Sequence, residues 1–182
     1  MPPGLDYNPS ARRERLPVIG LALLGFAISF YLALYQWGAI PGPWDPVFGS
    51  TSSGRVLHSF ISRTLPVPDA TLGVLGYLTE VVLCAIGGHE RWREHPWLVL
   101  LYGLLVLGMG LVGIGLLLSQ ALLVRSWCTL CVFSATISIT ILLVASREVL
   151  ATIRYVDLEH SSGCSLWTAL RGSSPHRCSS AP

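Results

Sequence analysis

Trp97 to Leu123 reads WLVLLYGLLVLGMGLVGIGLLLSQALL, a stretch without a single charged side chain. A helix needs ~20 predominantly apolar residues to cross the hydrocarbon core of a bilayer, so this run predicts a span with length to spare for tilt. After only Val124, Arg125 and Ser126, a second apolar run begins, from about Trp127 to Ala145, opening Trp127-Cys128-Thr129-Leu130-Cys131. Two spans joined by so short a turn must run antiparallel. The turn leaves Cys128 and Cys131 together at the mouth between them.

Working outward, two more windows qualify as spans. One runs from about Pro17 to Trp37 and the other from about Ala70 to Gly87, with Leu65 to Pro68 as a lead-in. The expected fold class is all-α: a polytopic membrane four-helix bundle. Gly73, Gly76, Gly103, Gly108 and Gly115 are expected to let helices approach closely in lipid. Composition agrees, with 52% of residues hydrophobic, 12% charged and a mean hydropathy of +0.59. A soluble domain carries roughly 25% charged residues to cover its surface. The first apolar run is read as a span rather than a cleaved signal, because from Leu16 it is longer than a signal's apolar core and lacks a clean small-residue cleavage site.

The formal charge of +2 comes from arginine alone, since the chain has no lysine. No basic cluster with interleaved aromatics is present, which argues against a nucleic-acid partner. Five cysteines are an odd number and only Cys128 and Cys131 are closely spaced. That suits one working dithiol better than a disulfide framework.

Arginine placement predicts orientation. Arg12, Arg13 and Arg15 precede the first span, Arg91 and Arg93 separate the second and third, and Arg147 and Arg154 follow the fourth. These fall on one side, against Arg55, Arg63 and Arg125 on the other, so both termini are expected in the cytoplasm of a multi-pass cell (inner) membrane protein. Cys128 then faces the oxidising side. The chain divides into a cytoplasmic segment 1–15, a four-span domain 16–146 with an outer segment of about 38–69, and a largely disordered cytoplasmic tail 147–182. In the outer segment, Pro41 to Pro46 is turn chemistry. Ser50 to Gly54 is expected to cap a short outer half-helix from Arg55 to about Arg63, lying over the bundle mouth.

The candidate chemistry centres on Cys128 and Cys131 in the first turn of the fourth span, with Ser126 as its expected N-cap. Unpaired amides and the helix dipole favour a thiolate there. The competing reading is two thiols packed as small hydrophobes. Asp69, after Pro68, occupies the expected N-cap of the second span. Glu80 lies eleven residues further, about 16 Å down the helix at ~1.5 Å per residue. A carboxyl at that depth is a candidate for a proton path or for a neutral interhelical contact. His58 is read as a surface residue. Trp37, Trp44, Trp97 and Trp127 read as interface-belt residues. No metal site is expected: Cys84 stands alone, and His160, Cys164, His176 and Cys178 are irregularly spaced.

Taken together, four spans with cytoplasmic ends, a large outer segment after the first, a Cys-x-x-Cys at the outer start of the fourth and the string Arg55-Val56-Leu57-His58-Ser59 resemble the vitamin K epoxide reductase family over about Leu16 to Ser146. The resemblance implies a quinone-dependent thiol oxidoreductase. Electrons would pass from an outer dithiol protein, with a thioredoxin fold expected, through Cys128 and Cys131 to a membrane quinone, in support of disulfide formation. It implies that Cys128 accepts the incoming thiolate, that Cys131 faces the quinone, and that Ser59 and Asp69 lie in the quinone-binding region.

The chain departs from the family pattern in its outer segment. The family's second cysteine pair is missing: Ser53 stands at one of its positions and the other falls near Asp45. An asparagine is replaced by Asp69, and a tyrosine expected four residues after the second cysteine is Ala135. The alternative expectation is therefore a non-catalytic membrane protein on the same bundle, binding a quinone or a partner protein. A small transporter finds little support, because only Glu80 offers a buried charge and no broken-helix repeat is visible.

Overall fold

The computed structural model describes residues 7–59, 68–163 and 165–172. Four helices build the bundle: α1 (Arg12–Gln36), α3 (Asp69–Ala85), α5 (Pro96–Ser119) and α6 (Thr129–Ser161). Three shorter helices accompany them: α2 (Ser50–Leu57), α4 (Arg91–Glu94) and α7 (Leu166–Leu170). The all-α membrane architecture is as the sequence indicates. Three helices are long and apolar enough to span a bilayer. The fourth, α3, has 17 residues and stands at the lower limit of ~17 for a span.

Helices α1 and α3 pack closely, as do α5 and α6, and α1 against α6 joins the two pairs. The central core holds Val18, Ala22, Tyr77, Cys84, Tyr102, Val106, Ile137, Ile141 and Ala145. Leu104, Leu111, Leu122 and Leu143 are more than half exposed and form part of the lipid-facing surface. Small residues decide how near the helices come, since lipid is as apolar as leucine and supplies little other drive. A Cβ on Gly25 would fall 2.5 Å from the Tyr77 ring, and one on Gly76 would fall 2.4 Å from Met109 Sδ. Gly73 and Gly103 are close contacts as expected, but Gly108 and Gly115 face open space and do not serve packing within the chain.

Three expectations need correction. The last helix does not stop near Ala145. It continues to Ser161 and buries Glu148, Ala151, Thr152, Tyr155 and Val156, so residues 147–161 are ordered helix rather than tail. Beyond it, α7 places Ala169 in a cluster with Trp92, Tyr155 and Val156. The charges that made this stretch look like tail are partly internal: Glu148 receives Arg91 through Nη2 at 2.6 Å and Nε at 2.7 Å, and the Ser10 hydroxyl at 2.5 Å. The short outer helix begins at Ser50 and ends at Leu57, so Ser50 to Gly54 lie inside it instead of capping it. Phe60 to Arg63 lie outside the described residues, as do Cys164, His176 and Cys178.

Arg15 and Arg91 also close the far end of α3. Arg15 donates to the carbonyls of Cys84, Ile86 and Gly87, and Arg91 to those of Leu83, Cys84 and Ile86. The last carbonyls of a helix have no intrahelical partner, and two guanidiniums meet that need here. A cavity of about 280 Å³ opens beside Arg15, Cys84, Tyr102 and Glu148, at the opposite end of the bundle from Cys128.

Candidate functional site

The mouth of the bundle gathers the end of α1, the start of α3, the end of α5 and the start of α6. At the end of α1, Gln36 Nε2 donates to Asp69 Oδ1 at 2.5 Å and to the Leu57 carbonyl at 3.2 Å, while its Oε1 accepts the Ala70 amide. One side chain thus ties α1, α2 and α3 together. Asp69 is the first residue of α3 rather than its N-cap, which is Pro68. Its carboxylate still accepts the Ala70 amide at 2.9 Å. Its neighbour Ala70 packs in the same apolar cluster as Cys128 and Cys131.

On the other side, α5 runs into one turn of π-helix, Gln120–Val124, and then reverses at Arg125 with φ +50°. A non-glycine residue in the left-handed region is uncommon and is held there by its surroundings. The wider turn directs the Gln120 amide inward, where it is 1% exposed. Its Oε1 accepts the backbone N–H of Cys128 at 3.1 Å.

Cys128 itself is the N-cap of α6, a role expected of Ser126. Its sulfur accepts the Cys131 amide at 3.2 Å. Both cysteines are thiols; Cys128 is buried and Cys131 half-buried. The two side chains share one turn, one as cap and one at the third helical position. Around them lie Leu32, Ala33, Val56, Leu57 and Ala70, with Tyr35, Val74 and Leu130 packed alongside. The dithiol therefore faces an apolar wall built from α1, α2 and α3.

A loop carboxylate closes the mouth from outside. Asp45 Oδ1 accepts the Val47 and Phe48 amides at 3.0 and 2.8 Å, and the Thr129 hydroxyl at 2.5 Å. Its Oδ2 accepts the Thr129 amide at 2.8 Å and the Ser53 hydroxyl. Burial alone would raise its pKa, but these donors prevail and hold the carboxyl well below the ordinary carboxylate range. Beside it, the Ser52 hydroxyl donates to the Trp127 carbonyl at 2.7 Å and accepts the Trp127 amide at 3.1 Å. Phe48 and Trp127 stack with ring centroids 6.2 Å apart.

Cys128, one residue outside the apolar helix, has its pKa lowered. A hydrogen bond from the Cys131 thiol contributes most, burial opposes it, and the Ser53 hydroxyl and the Cys131 amide add to the lowering. A sulfur surrounded by donors at a helix N-terminus is suited to act as a thiolate.

The remaining sequence candidates are placed as follows. Ser59 lies just beyond α2, half-buried, its amide donating to the Val56 carbonyl. His58 is exposed, with its ring 5.3 Å from that of Tyr35. Glu80 is 1% exposed, and neither carboxyl oxygen has a hydrogen-bond partner among the described residues. One turn before it, the Tyr77 hydroxyl donates to the Ser134 carbonyl at 2.6 Å and meets the Ser138 hydroxyl at 2.7 Å. Gln120, Gln36 and Thr129 were missed by sequence reasoning. A lone amide in an apolar span was the available signal for Gln120. The partners of Gln36 and Thr129 left no mark in sequence.

Comparison with individually curated proteins gives no match. A family model does match, over residues 16–146. That range takes in α2, α3, α4 and α5 whole, most of α1, the first half of α6 and both mouth cysteines, and the match shows that the chain belongs to the vitamin K epoxide reductase family, whose membership implies a quinone-reducing thiol oxidoreductase.

Proposed function

We propose that this protein takes two electrons from a dithiol protein outside the cytoplasm and gives them to a membrane quinone through Cys128 and Cys131. The observation that carries this reading is the cap geometry. Cys128 Sγ receives the Cys131 amide within one helical turn, so the two sulfurs are held as neighbours against an apolar wall.

The reaction balances without an added reagent. A donor thiolate attacks Cys128 of the Cys128–Cys131 disulfide, and Cys131 leaves as a thiolate and takes a proton. The donor's second thiol attacks its own sulfur in the mixed disulfide and releases Cys128. The reduced pair then passes two electrons and two protons to the quinone and re-forms its bond. One dithiol and one quinone become one disulfide and one quinol. Asp69, next to Ala70 of the dithiol's apolar cluster, and Ser59, just beyond α2, are the proposed quinone contacts. Since the dithiol brings both protons, Glu80 has no obligatory proton to carry. Both termini lie in the cytoplasm in this reading, and the thiol donor is expected to have a thioredoxin fold.

The test is quinol formation by full-length protein in lipid nanodiscs, with dithiothreitol as donor and a short-chain benzoquinone as acceptor. Cys131→Ser is expected to abolish it. Equal activity in that variant overturns the mechanism.

A second reading, a binding protein without turnover, draws on the 1% exposure of Cys128 and on Ser53, bonded to Asp45, standing where the family resemblance implies a loop cysteine. Thiol labelling before and after adding oxidised quinone separates the two. Protection of both Cys128 and Cys131 supports turnover, and unchanged labelling supports binding alone.

A further inference from the structure

Two buried guanidiniums meet at the end of the bundle far from the dithiol. Arg15 is 6% exposed and Arg91 is fully buried, and both donate to the carbonyls of Cys84 and Ile86 at the end of α3. One buried carboxylate, Glu148, stands with them. It is taken up by Arg91, which it meets through both oxygens, and by the Ser10 hydroxyl. Arg15 has no ion pair among the described residues. The carbonyls that it grips carry only the partial charge of a helix end, about half an elementary charge. Buried charges are ordinarily paired, so positive charge is left over here.

The cavity of about 280 Å³ lies against this excess, and Arg15 and Tyr102 both line it. Neither Arg15 Nε nor the Tyr102 hydroxyl has a hydrogen-bond partner among the described residues. Buried polar groups without partners call for an occupant. Arg147, which is exposed, lines the same cavity. Glu14 lines it too and opposes an anion, but it is exposed, where salt screens its charge. Leu143 and Val144 complete one wall and also belong to the exposed surface of α6. The cavity thus joins a cationic floor to the lipid-facing side of the bundle. Water would bond the hydroxyl and the Nε but would leave the charge uncancelled.

We propose that this cavity binds the phosphate of a membrane phospholipid with net negative charge. Arg15 and Arg147 face the oxyanion, the Tyr102 hydroxyl donates to it, and the acyl chains leave past Leu143 and Val144. Basic pockets between spanning helices suit such headgroups. A choline lipid brings the same phosphate with a quaternary ammonium attached, which Arg147 repels and which leaves the net charge as it was. The site is separate from the dithiol, and none of its tests involves Cys128 or Cys131.

The experiment follows thermal unfolding of the full-length protein in dodecyl maltoside with dioctanoyl phosphatidylglycerol, dioctanoyl phosphatidylcholine or inorganic phosphate added. Phosphatidylglycerol is expected to raise the melting temperature saturably, by at least about 3 °C, because a ligand that binds only the folded state stabilises it. The choline lipid and inorganic phosphate are expected to give little of that shift. Arg147→Glu is expected to remove most of it. Arg154→Glu makes the same charge change on an exposed residue of α6 outside the cavity and is expected to keep it. Tyr102→Phe deletes a hydroxyl without a partner, so the melting temperature without lipid is expected to stay level or rise, while the phosphatidylglycerol shift shrinks.

No shift with phosphatidylglycerol, or an equal shift with the choline lipid, overturns the inference. An equal shift with inorganic phosphate also overturns it, by assigning the site to a free anion. Equal loss in Arg147→Glu and Arg154→Glu marks attraction to the surface as a whole and overturns it, as does an undiminished shift in Arg147→Glu. If Arg147→Glu does not fold, Tyr102→Phe decides alone, and an undiminished shift there overturns the inference.

Discussion

Gln120 Oε1 accepts the amide hydrogen of Cys128 at 3.1 Å, across the turn that joins α5 to α6. Gln120 is almost fully buried, so the amide of Cys128 has no water to replace it. Leaving a buried donor unpaired costs about 1–3 kcal/mol. Gln120→Leu is therefore expected to lower the melting temperature in detergent and to slow quinol formation, because the cap that positions the dithiol loosens. Gln120→Glu keeps an acceptor at the same place and is expected to recover most of both. Equal loss in the two variants would show that the acceptor oxygen is not what matters.

A larger effect is expected at the other end of the bundle. Arg91 is fully buried, and Glu148 holds it through two hydrogen bonds. Removing one member of a buried pair leaves an uncompensated charge, at a cost of roughly 3–5 kcal/mol. Glu148→Gln should depress thermal stability more than any single substitution at the mouth. A melting temperature within about two degrees of the parent would show that the carbonyls of α3 alone hold Arg91.

Gly25 and Gly108 look alike in sequence and differ in consequence. A methyl on Gly25 must displace the Tyr77 ring, whereas one on Gly108 meets nothing within 4 Å. Gly25→Ala is expected to destabilise the α1–α3 contact by about 1–3 kcal/mol, and Gly108→Ala is expected to be neutral or slightly stabilising. Thermal unfolding of the two variants side by side checks the pair.

The four spans and the mouth dithiol were legible because each rests on a local pattern. Uninterrupted apolar residues mark a span, and a Cys-x-x-Cys at its start marks a pair that shares one turn. What escaped depends on partners far away in the chain. Glu148 reads as tail charge until Arg91, fifty-seven residues earlier, arrives to neutralise it, so the sequence pattern ends α6 too early, at Ala145. Asp45 sits among prolines and looks like turn chemistry, while the Thr129 atoms that it grips lie eighty-four residues on. Serine is the usual cap and points to Ser126, whereas the sulfur of Cys128 takes the place by accepting the Cys131 amide.

The Asp45 grip predicts an acid response. Hydrogen-bond donors from Ser53, Thr129 and Phe48 hold its carboxyl well below the ordinary carboxylate range. A depressed folded-state pKa gives stability that is complete above the unfolded value and lost as pH falls towards the folded one. The loop is therefore expected to stay closed over Cys128 down to about pH 4 and to open only in stronger acid. Reaction of Cys128 with 4,4′-dithiodipyridine, which proceeds in acid, should stay slow to that point and rise below it. A rise already at pH 5 to 6 would assign the closure to another group.

Glu80 offers a check on the proton balance. Glu80→Gln removes the acid and keeps the shape, and quinol formation is expected to stay within about twofold, since the dithiol supplies both protons. A tenfold loss would place Glu80 on the proton route.

The sulfur that caps α6 has a thermodynamic consequence. Interactions that stabilise a thiolate, such as the Cys131 amide donated to Cys128, strengthen the dithiol form more than the disulfide. A pair whose reduced form is favoured in this way has a higher reduction potential and is a stronger oxidant. In the proposed reaction such a mouth would draw electrons in from thiols and would discharge them only to an acceptor more oxidising still.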